Sequence, residues 1–353
     1  MNLPSKVPIL VSGISHNSVG YQIVKSLFIY SNLYRIIGTN IEGSFKFGNT
    51  IDVFETLPHS SDPEYISKLV SLCKKYEVRA IFPGSEDELV IISRNARLIE
   101  SNEIKPITLD FNVVDLCLRK NALFKKMLDL NIAHPASFII SSIKDLESIE
   151  LFPLVIKPVR GSGSKGVVIV QSKKELQLLG PVWLENYGKL IGQEYVDSTQ
   201  GEYTIGVITD PHDGLVRNSI IMKRFIMEGI GHGSKVTNRF IGKIKEPYLV
   251  LSSGISQGIF INDHNISSQV EDSISKLGIK GIVNVQCRIQ EGVVKIFEIN
   301  PRFSGTTYGR ALCGYNEPHL MLQRILYDIP IQSRFPYQLG IYERNVQDTF
   351  TLV

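Results

Sequence analysis

The stretch Ile296-Phe297-Glu298-Ile299-Asn300-Pro301-Arg302 decides how this chain is read. Val293 to Ile299 alternates as a strand does, and Pro301 ends it because proline offers no N–H to a ladder. Glu298 and Asn300 lie two positions apart and so project on one face, with Arg302 just past the strand end. A carboxylate, a carboxamide oxygen and a guanidinium side by side suit a metal–phosphate site. Mg²⁺ takes hard oxygen ligands, and arginine's planar fork matches phosphate oxygens. Taken alone, the heptapeptide fits a strand end with three solvated polar residues as well.

A second stretch shifts the balance. Val283-Asn284-Val285-Gln286-Cys287-Arg288-Ile289 alternates too, and Glu291-Gly292 is a turn signal, so 283–299 is expected to be a hairpin with Gln286 near Glu298. An Asn-Val-Gln strand followed by a Glu-Ile-Asn-Pro-Arg strand resembles the metal-binding hairpin of ATP-grasp enzymes. It is most similar to that of the carbamoyl phosphate synthase large subunit and its relatives. The resemblance implies Gln286, Glu298 and Asn300 as metal ligands and Arg302 as a catalytic residue in contact with phosphate.

Length and composition bound the alternatives. The chain has 353 residues, enough for two or three subdomains with cores of their own. A formal net charge of +3 is too small to argue for nucleic acid or membrane, and no basic block interleaved with aromatics occurs. No apolar run is long enough to span a bilayer, and Met1 to Pro8 lacks a signal-peptide core, so a cytoplasmic protein is expected. Cys73, Cys117, Cys287 and Cys313 are widely spaced with no C-x-x-C, which argues for free thiols rather than a zinc site or disulfides.

Along the first 110 residues strands alternate with helices: strands near 7–12, 34–39, 78–82 and 106–109, helices near 19–30, after Asp62-Pro63, and over 86–99. That order implies a small parallel sheet. Gly13 and Gly20 do not fit G-x-G-x-x-G, and the second strand ends in Asn40 rather than an acid, so a nicotinamide is not expected. The resemblance accounts for such a Rossmann-like domain, since ATP-grasp enzymes commonly carry one in front.

Asp110 to Leu130 has helical periodicity. Lys120 matches the early ATP-grasp lysine that reaches the phosphates; Lys125 and Lys126 are its local competitors. Next come two apolar strands, 152–158 and 167–170, around Gly161, Ser162, Gly163, Ser164, Lys165 and Gly166. Small residues let backbone N–H groups approach phosphate oxygens. Lys157 in the first strand adds a point charge. The order resembles the ATP-grasp phosphate loop and is not a Walker A loop. In the strand 190–196 the resemblance places Glu194, Tyr195 and Val196 at the hinge that reads adenine through its backbone, and Glu202 at the ribose hydroxyls; Glu202 also fits a surface acid at a strand start.

Ser219 to Met227 is expected to be a strand, with Lys223 and Arg224 inside an apolar run. A phosphate or carboxylate partner explains them, and so does an edge strand kept soluble; Lys223 is the candidate catalytic cation. The segment 228–238 is rich in small residues around His232 and Lys235 and is expected to form a lid. A short element near 252–260, helices near 267–277 and 317–327, and a terminal strand within 331–353 complete the chain. Glu86, Asp87 and Glu88 follow the strand at 78–82, where they meet either an amine or only the dipole of their own helix.

The fold class implied is α/β: an ATP-grasp fold of two α+β subdomains (111–192 and 193–330), a Rossmann-like domain before it (1–110) and a tail (331–353). The implied cofactors are ATP and Mg²⁺ or Mn²⁺. The expected partners are a small carboxylate and an amine, with a homodimer left open. The expected activity is a carboxylate–amine ligase working through an acylphosphate. Phosphorylation of bicarbonate or carbamate, and a non-catalytic ATP sensor, are the alternatives.

Overall fold

Apolar runs buried on both sides make the first sheet. Its strands are β1 (Val7–Val11), β2 (Tyr34–Asn40), β3 (Val53–Thr56), β4 (Ala80–Phe82) and β5 (Lys105–Pro106), in the order β3-β2-β1-β4-β5 with every pair parallel. Ile9, Leu10, Val11, Ala80, Ile81 and Phe82 have no exposed surface, as expected where helices cover both faces. Helix Val19–Phe28 supplies Ile23, Val24 and Leu27 to one side, and helix Tyr65–Lys75 supplies Leu69 and Cys73 to the other. β3 was not among the expected strands, because it is a short edge strand without a buried apolar run. The computed structural model describes residues 6–42, 48–161, 166–226, 235–239, 244, 246–251 and 257–344.

The helix expected over 110–130 is two helices, Phe111–Leu118 and Lys120–Asp129, broken at Arg119 (ψ 89°). The Lys120 N–H donates to the Val159 carbonyl at 3.3 Å instead of continuing the first helix. The break therefore sets Lys120 beside the strand that leads into the glycine-rich loop.

The second sheet holds β6 (Ser137–Ile140), β7 (Leu154–Pro158), β8 (Val168–Val170) and β9 (Leu190–Glu194), antiparallel in the order β6-β9-β7-β8. Helix Lys173–Tyr187 closes its core with Leu176, against Leu146, Leu154, Ile156 and Leu190. That helix is not evident from the sequence, since Gly180 and Pro181 in its middle are helix-breaking types.

The third sheet comprises β10 (Glu202–Thr209), β11 (Val216–Arg224), β14 (Gly258–Ile261), β15 (Gly281–Gln290), β16 (Val293–Asn300) and β17 (Gly340–Tyr342), in the order β16-β15-β10-β11-β14-β17; β12 (Lys235–Thr237) and β13 (Tyr248–Val250) form a separate ribbon. Helix His264–Lys276 lays Ile266, Val270 and Ile274 on this sheet, and Val114, Leu123, Phe124 and Met127 join the same core from the linking helices. Two α+β subdomains thus follow a parallel α/β domain, as expected. Of the expected lid, 228–234 lies outside the described residues, while 235–237 is strand β12. The expected element at 252–260 is described only from 257, and the tail strand is limited to β17, with 345–353 outside the described residues.

Candidate active site

The hairpin β15–β16 turns at Glu291 and Gly292, both with positive φ (51° and 77°), the backbone of a tight two-residue turn. Its register pairs Asn284 with Asn300 and Gln286 with Glu298, then jumps to pair Cys287 with Ile296. The extra residue is Phe297, a β-bulge. A one-residue slip exchanges the two faces of a strand. Here it lets Val294, Ile296 and Ile299 all enter the core while Gln286, Glu298 and Asn300 line a cavity. Without the bulge, Ile296 and Glu298 would share a face.

That cavity, of about 330 Å³, lies between the second and third sheets, with Asn17 and Val19 of the first domain on its wall. Lys157 reaches into it from β7. Its ammonium donates to Gln193 Oε1 at 2.8 Å and to the bulge carbonyl of Phe297 at 3.4 Å, and stands 5.0 Å from the centre of the Phe124 ring. Burial lowers its pKa to about 7; Glu298 opposes that shift and Lys120 adds to it. Lys120 Nζ donates to the Gly161 carbonyl at 2.5 Å. Gly161 lines the cavity, Gly166 does not, and Ser162, Gly163 and Ser164 lie outside the described residues.

Glu194, Tyr195 and Val196 line the adjoining wall. The N–H groups of Glu194 and Tyr195 are used by Ala136 and Pro153 carbonyls, and the Val196 carbonyl accepts from Arg288 at 2.7 Å. Glu202 also lines the cavity, but its side chain is fully buried. Its oxygens accept from Arg224 (2.8 Å) and from Arg288 (2.8 and 3.0 Å). Of the two cations singled out in β11, Arg224 faces the cavity, and Lys223 is exposed and outside its lining. Arg302 holds the Phe303 carbonyl (2.9 Å) and Asn300 Oδ1 (3.1 Å), with Glu86 at 3.9 Å. Burial raises the pKa of Glu86, Arg302 lowers it and Glu298 raises it further.

Sequence reasoning missed Gln193, Arg288 and Arg344 in the lining. Arg288 and Gln193 sit in strands already recognised, and two buried polar residues in apolar strands were the available signal. It also missed the layer beneath the hairpin. Asn284 Oδ1 accepts from Thr204 (2.8 Å) and from Arg310 (2.5 Å), and Arg310 pairs with Glu317 at 2.8 Å, both fully buried. Gly206 makes room: a Cβ there would stand 2.3 Å from Arg310 Nη1.

Among the described residues no cluster of three or more His, Cys, Asp or Glu forms a metal cage. The donor set is one carboxylate, Glu298, with the amide oxygens of Gln286 and Asn300. Such a set fits Mg²⁺ carried by phosphate oxygens, which needs few protein carboxylates, better than a resident ion. No helix among the described residues is long and apolar enough to cross a membrane.

A family model described as "PylC-like, N-terminal domain" matches residues 9–107, and one described as "ATP-grasp in the biosynthetic pathway with Ter operon" matches 244–349. The carbamoyl phosphate synthase large chain of Caldanaerobacter subterraneus subsp. tengcongensis is 25% identical over 213 residues, covering 58% of this chain and 18% of that one. The match therefore spans less than a fifth of that relative's length. The L-amino acid ligase from Bacillus licheniformis superposes with a TM-score of 0.63 over 91% of this chain and 74% of its own, at 18% identity. The ADP complex of N5-carboxyaminoimidazole ribonucleotide synthetase does so with 0.68 over 96% and 81%, at 14% identity. At these identities the structural likeness speaks to the fold. The chain carries an ATP-grasp domain, matched over residues 244–349, behind a PylC-like N-terminal domain, matched over residues 9–107.

Proposed function

We propose that this protein is a ligase that uses Mg·ATP to join a small carboxylate to an amine through an acylphosphate, releasing ADP and phosphate. The observation that carries the reading is the convergence of Lys120, Lys157, Gln286, Glu298, Asn300 and Arg302 on one cavity between two sheets. Boundaries at 110/111 and 192/193 go with it.

The roles follow from charge and placement. Lys120 and Lys157 hold phosphate oxygens as point charges. Among the described residues no group accepts from the Val196 N–H, which leaves that donor for a base edge. Glu202 keeps Arg224 and Arg288 in place behind the base and sugar. Gln286, Glu298 and Asn300 would hold the nucleotide's Mg²⁺, which when bound would supply positive charge to offset that of the phosphates. Arg302 orients the transferring phosphoryl group toward a substrate carboxylate held in line. The wall of apolar residues around Val155, Val250 and Leu251 excludes water from the nucleotide.

A screen of carboxylates against amines, read by ADP release with mass detection of products, tests this. Carboxylate-dependent ADP release with an amide product is expected. ADP release that no carboxylate stimulates would overturn it. The sequence likeness to carbamoyl phosphate synthase favours phosphorylation of bicarbonate or carbamate as the second reading, and ADP release driven by bicarbonate alone would select it.

A further inference from the structure

β17 pairs with β14, Tyr342 opposite Gly258, and this returns the chain to the cavity. Two residues on, the Arg344 N–H donates to Gln257 Oε1 at 3.1 Å, and the arginine side chain enters the lining. Arg344 as a residue is 8% exposed, and its guanidinium touches only neutral acceptors among the described residues, the carbonyls of Asn17 (3.2 Å) and Gly305 (3.5 Å). Among those residues no carboxylate lies within 4.0 Å of it. Burial lowers its pKa, with the Tyr342 phenol opposing.

A second cation stands behind it. Lys25 lies against the rings of Tyr308 (4.5 Å) and Tyr21 (5.3 Å), and its pKa is lowered to about 8 by burial and by the charge of Arg344. Two mutually repelling cations, one buried and one half-buried, with no carboxylate paired to either among the described residues, are costly unless an anion joins them. Arg344 lines the cavity together with Asn17, Val19, Ser304 and Gly305. Helix Val19–Phe28 begins on this rim with no acid in its first turn, which adds partial positive charge. Arg302 differs, since Glu86 and Asn300 already attend it. The two guanidinium groups hold the carbonyls of Phe303 and Gly305, two residues apart, so they are neighbours with separate tasks.

We infer that the carboxylate substrate carries a second anionic group, a further carboxylate or a phosphate, bound by Arg344 while Arg302 attends the reacting end. The inference rests on the ligase reading and narrows its substrate class. A monocarboxylate would leave the Arg344 charge desolvated and unanswered.

The test uses the full chain saturated with Mg²⁺ and a non-hydrolysable ATP analogue, titrated calorimetrically with butyrate, glutarate and 3-phosphonopropionate. At least one dianion should bind on the order of tenfold tighter than butyrate, the range of one charge-assisted contact. Which dianion binds tighter separates a dicarboxylate from a phosphorylated substrate. Arg344→Gln should erase the preference, Arg344→Lys should retain part of it, and Lys25→Met should reduce it several-fold. Equal binding of butyrate and the dianions, no dianion binding at all, or an undiminished preference in Arg344→Gln would overturn the inference. If Arg344→Gln does not fold, the wild type, Arg344→Lys and Lys25→Met decide by the same criteria. Failure of the ATP analogue itself to bind would strike the ligase reading instead.

Discussion

Lys157 donates to Gln193 Oε1 at 2.8 Å, a buried ammonium held by a neutral amide rather than by a carboxylate. Nothing in that contact balances its charge, and burial brings its pKa down to about 7. The group is thus poised to lose its proton in the empty site and regain it when phosphates arrive.

A pH dependence of nucleotide affinity follows. Polyphosphate raises the Lys157 pKa, so binding takes up a proton wherever the empty site is deprotonated and the occupied site is not. By linkage, affinity falls as pH rises above about 7, approaching tenfold per unit while the occupied site stays protonated. Calorimetry of Mg·ATP analogue binding between about pH 7.5 and 9, in buffers of different ionisation enthalpy, should show that fall together with proton uptake. Lys157→Met should flatten the profile and weaken binding by about 2 kcal/mol. Affinity independent of pH in the wild type would refute the assignment.

Glu298→Gln should abolish most turnover without unfolding the protein. Glu298 is only partly buried, and Gln keeps its size, but the hairpin loses its one carboxylate donor. Outer-shell changes at metal sites cost about 10–100-fold, so a donor lost from the inner shell should cost at least about a hundredfold in ADP release. An unchanged melting curve with near-normal turnover would move the metal elsewhere.

The layer under the hairpin makes a different prediction. Arg310 and Glu317 are fully buried and paired, and Arg310 fixes the Asn284 amide. Removing one partner by Arg310→Met leaves a buried acid whose pKa burial already raises, opposed only by that arginine and its hydrogen bonds with Arg310 and Thr307. Stability should drop by about 3–5 kcal/mol in denaturant unfolding, and Arg310→Met with Glu317→Leu should recover part of it. A loss under about 1 kcal/mol for the single change would mean the pair is solvated.

How much of this was legible varies with the scale of the cause. Alternation and the turn at Glu291-Gly292 announced the β15–β16 hairpin, and two spacings of two placed Gln286 opposite Glu298. The bulge at Phe297 was not legible, because it is a mismatch of register that only the pairing of two strands creates. The choice between Lys223 and Arg224 depended on which face of β11 meets the cavity, and the apolar run around them concealed it. Arg344 enters from the far end of the chain by the pairing of β17 with β14, a contact with no local signature. Likewise the break at Arg119 comes from a bond to Val159, forty residues away in sequence terms, not from a breaker residue.

The last prediction concerns the intermediate. The candidate site offers Lys120, Lys157, Gln286, Glu298, Asn300 and Arg302 around the place of transfer. Glu298 alone among these could take a phosphoryl group as a carboxylate, and its assignment to the metal lowers its nucleophilicity. The four cysteines are free thiols, but Cys73, Cys117 and Cys287 are buried and none of the four lines the main cavity. Burial pushes the Cys117 thiol up to about 12, far from a thiolate at neutral pH. A protein nucleophile is therefore a poor acceptor, and a substrate carboxylate in line with the γ-phosphate is the better one. The carboxylate oxygen bonds to phosphorus as the bond to the β–γ bridging oxygen breaks, and ADP leaves with those electrons. The amine then attacks the acyl carbon and phosphate departs, carrying one substrate oxygen. With ¹⁸O in the substrate carboxylate, released phosphate should hold one labelled oxygen, and hydroxylamine in place of the amine should trap a hydroxamate. Unlabelled phosphate, or AMP with pyrophosphate, would place the chemistry at the α-phosphate or on the enzyme and dismiss the acylphosphate.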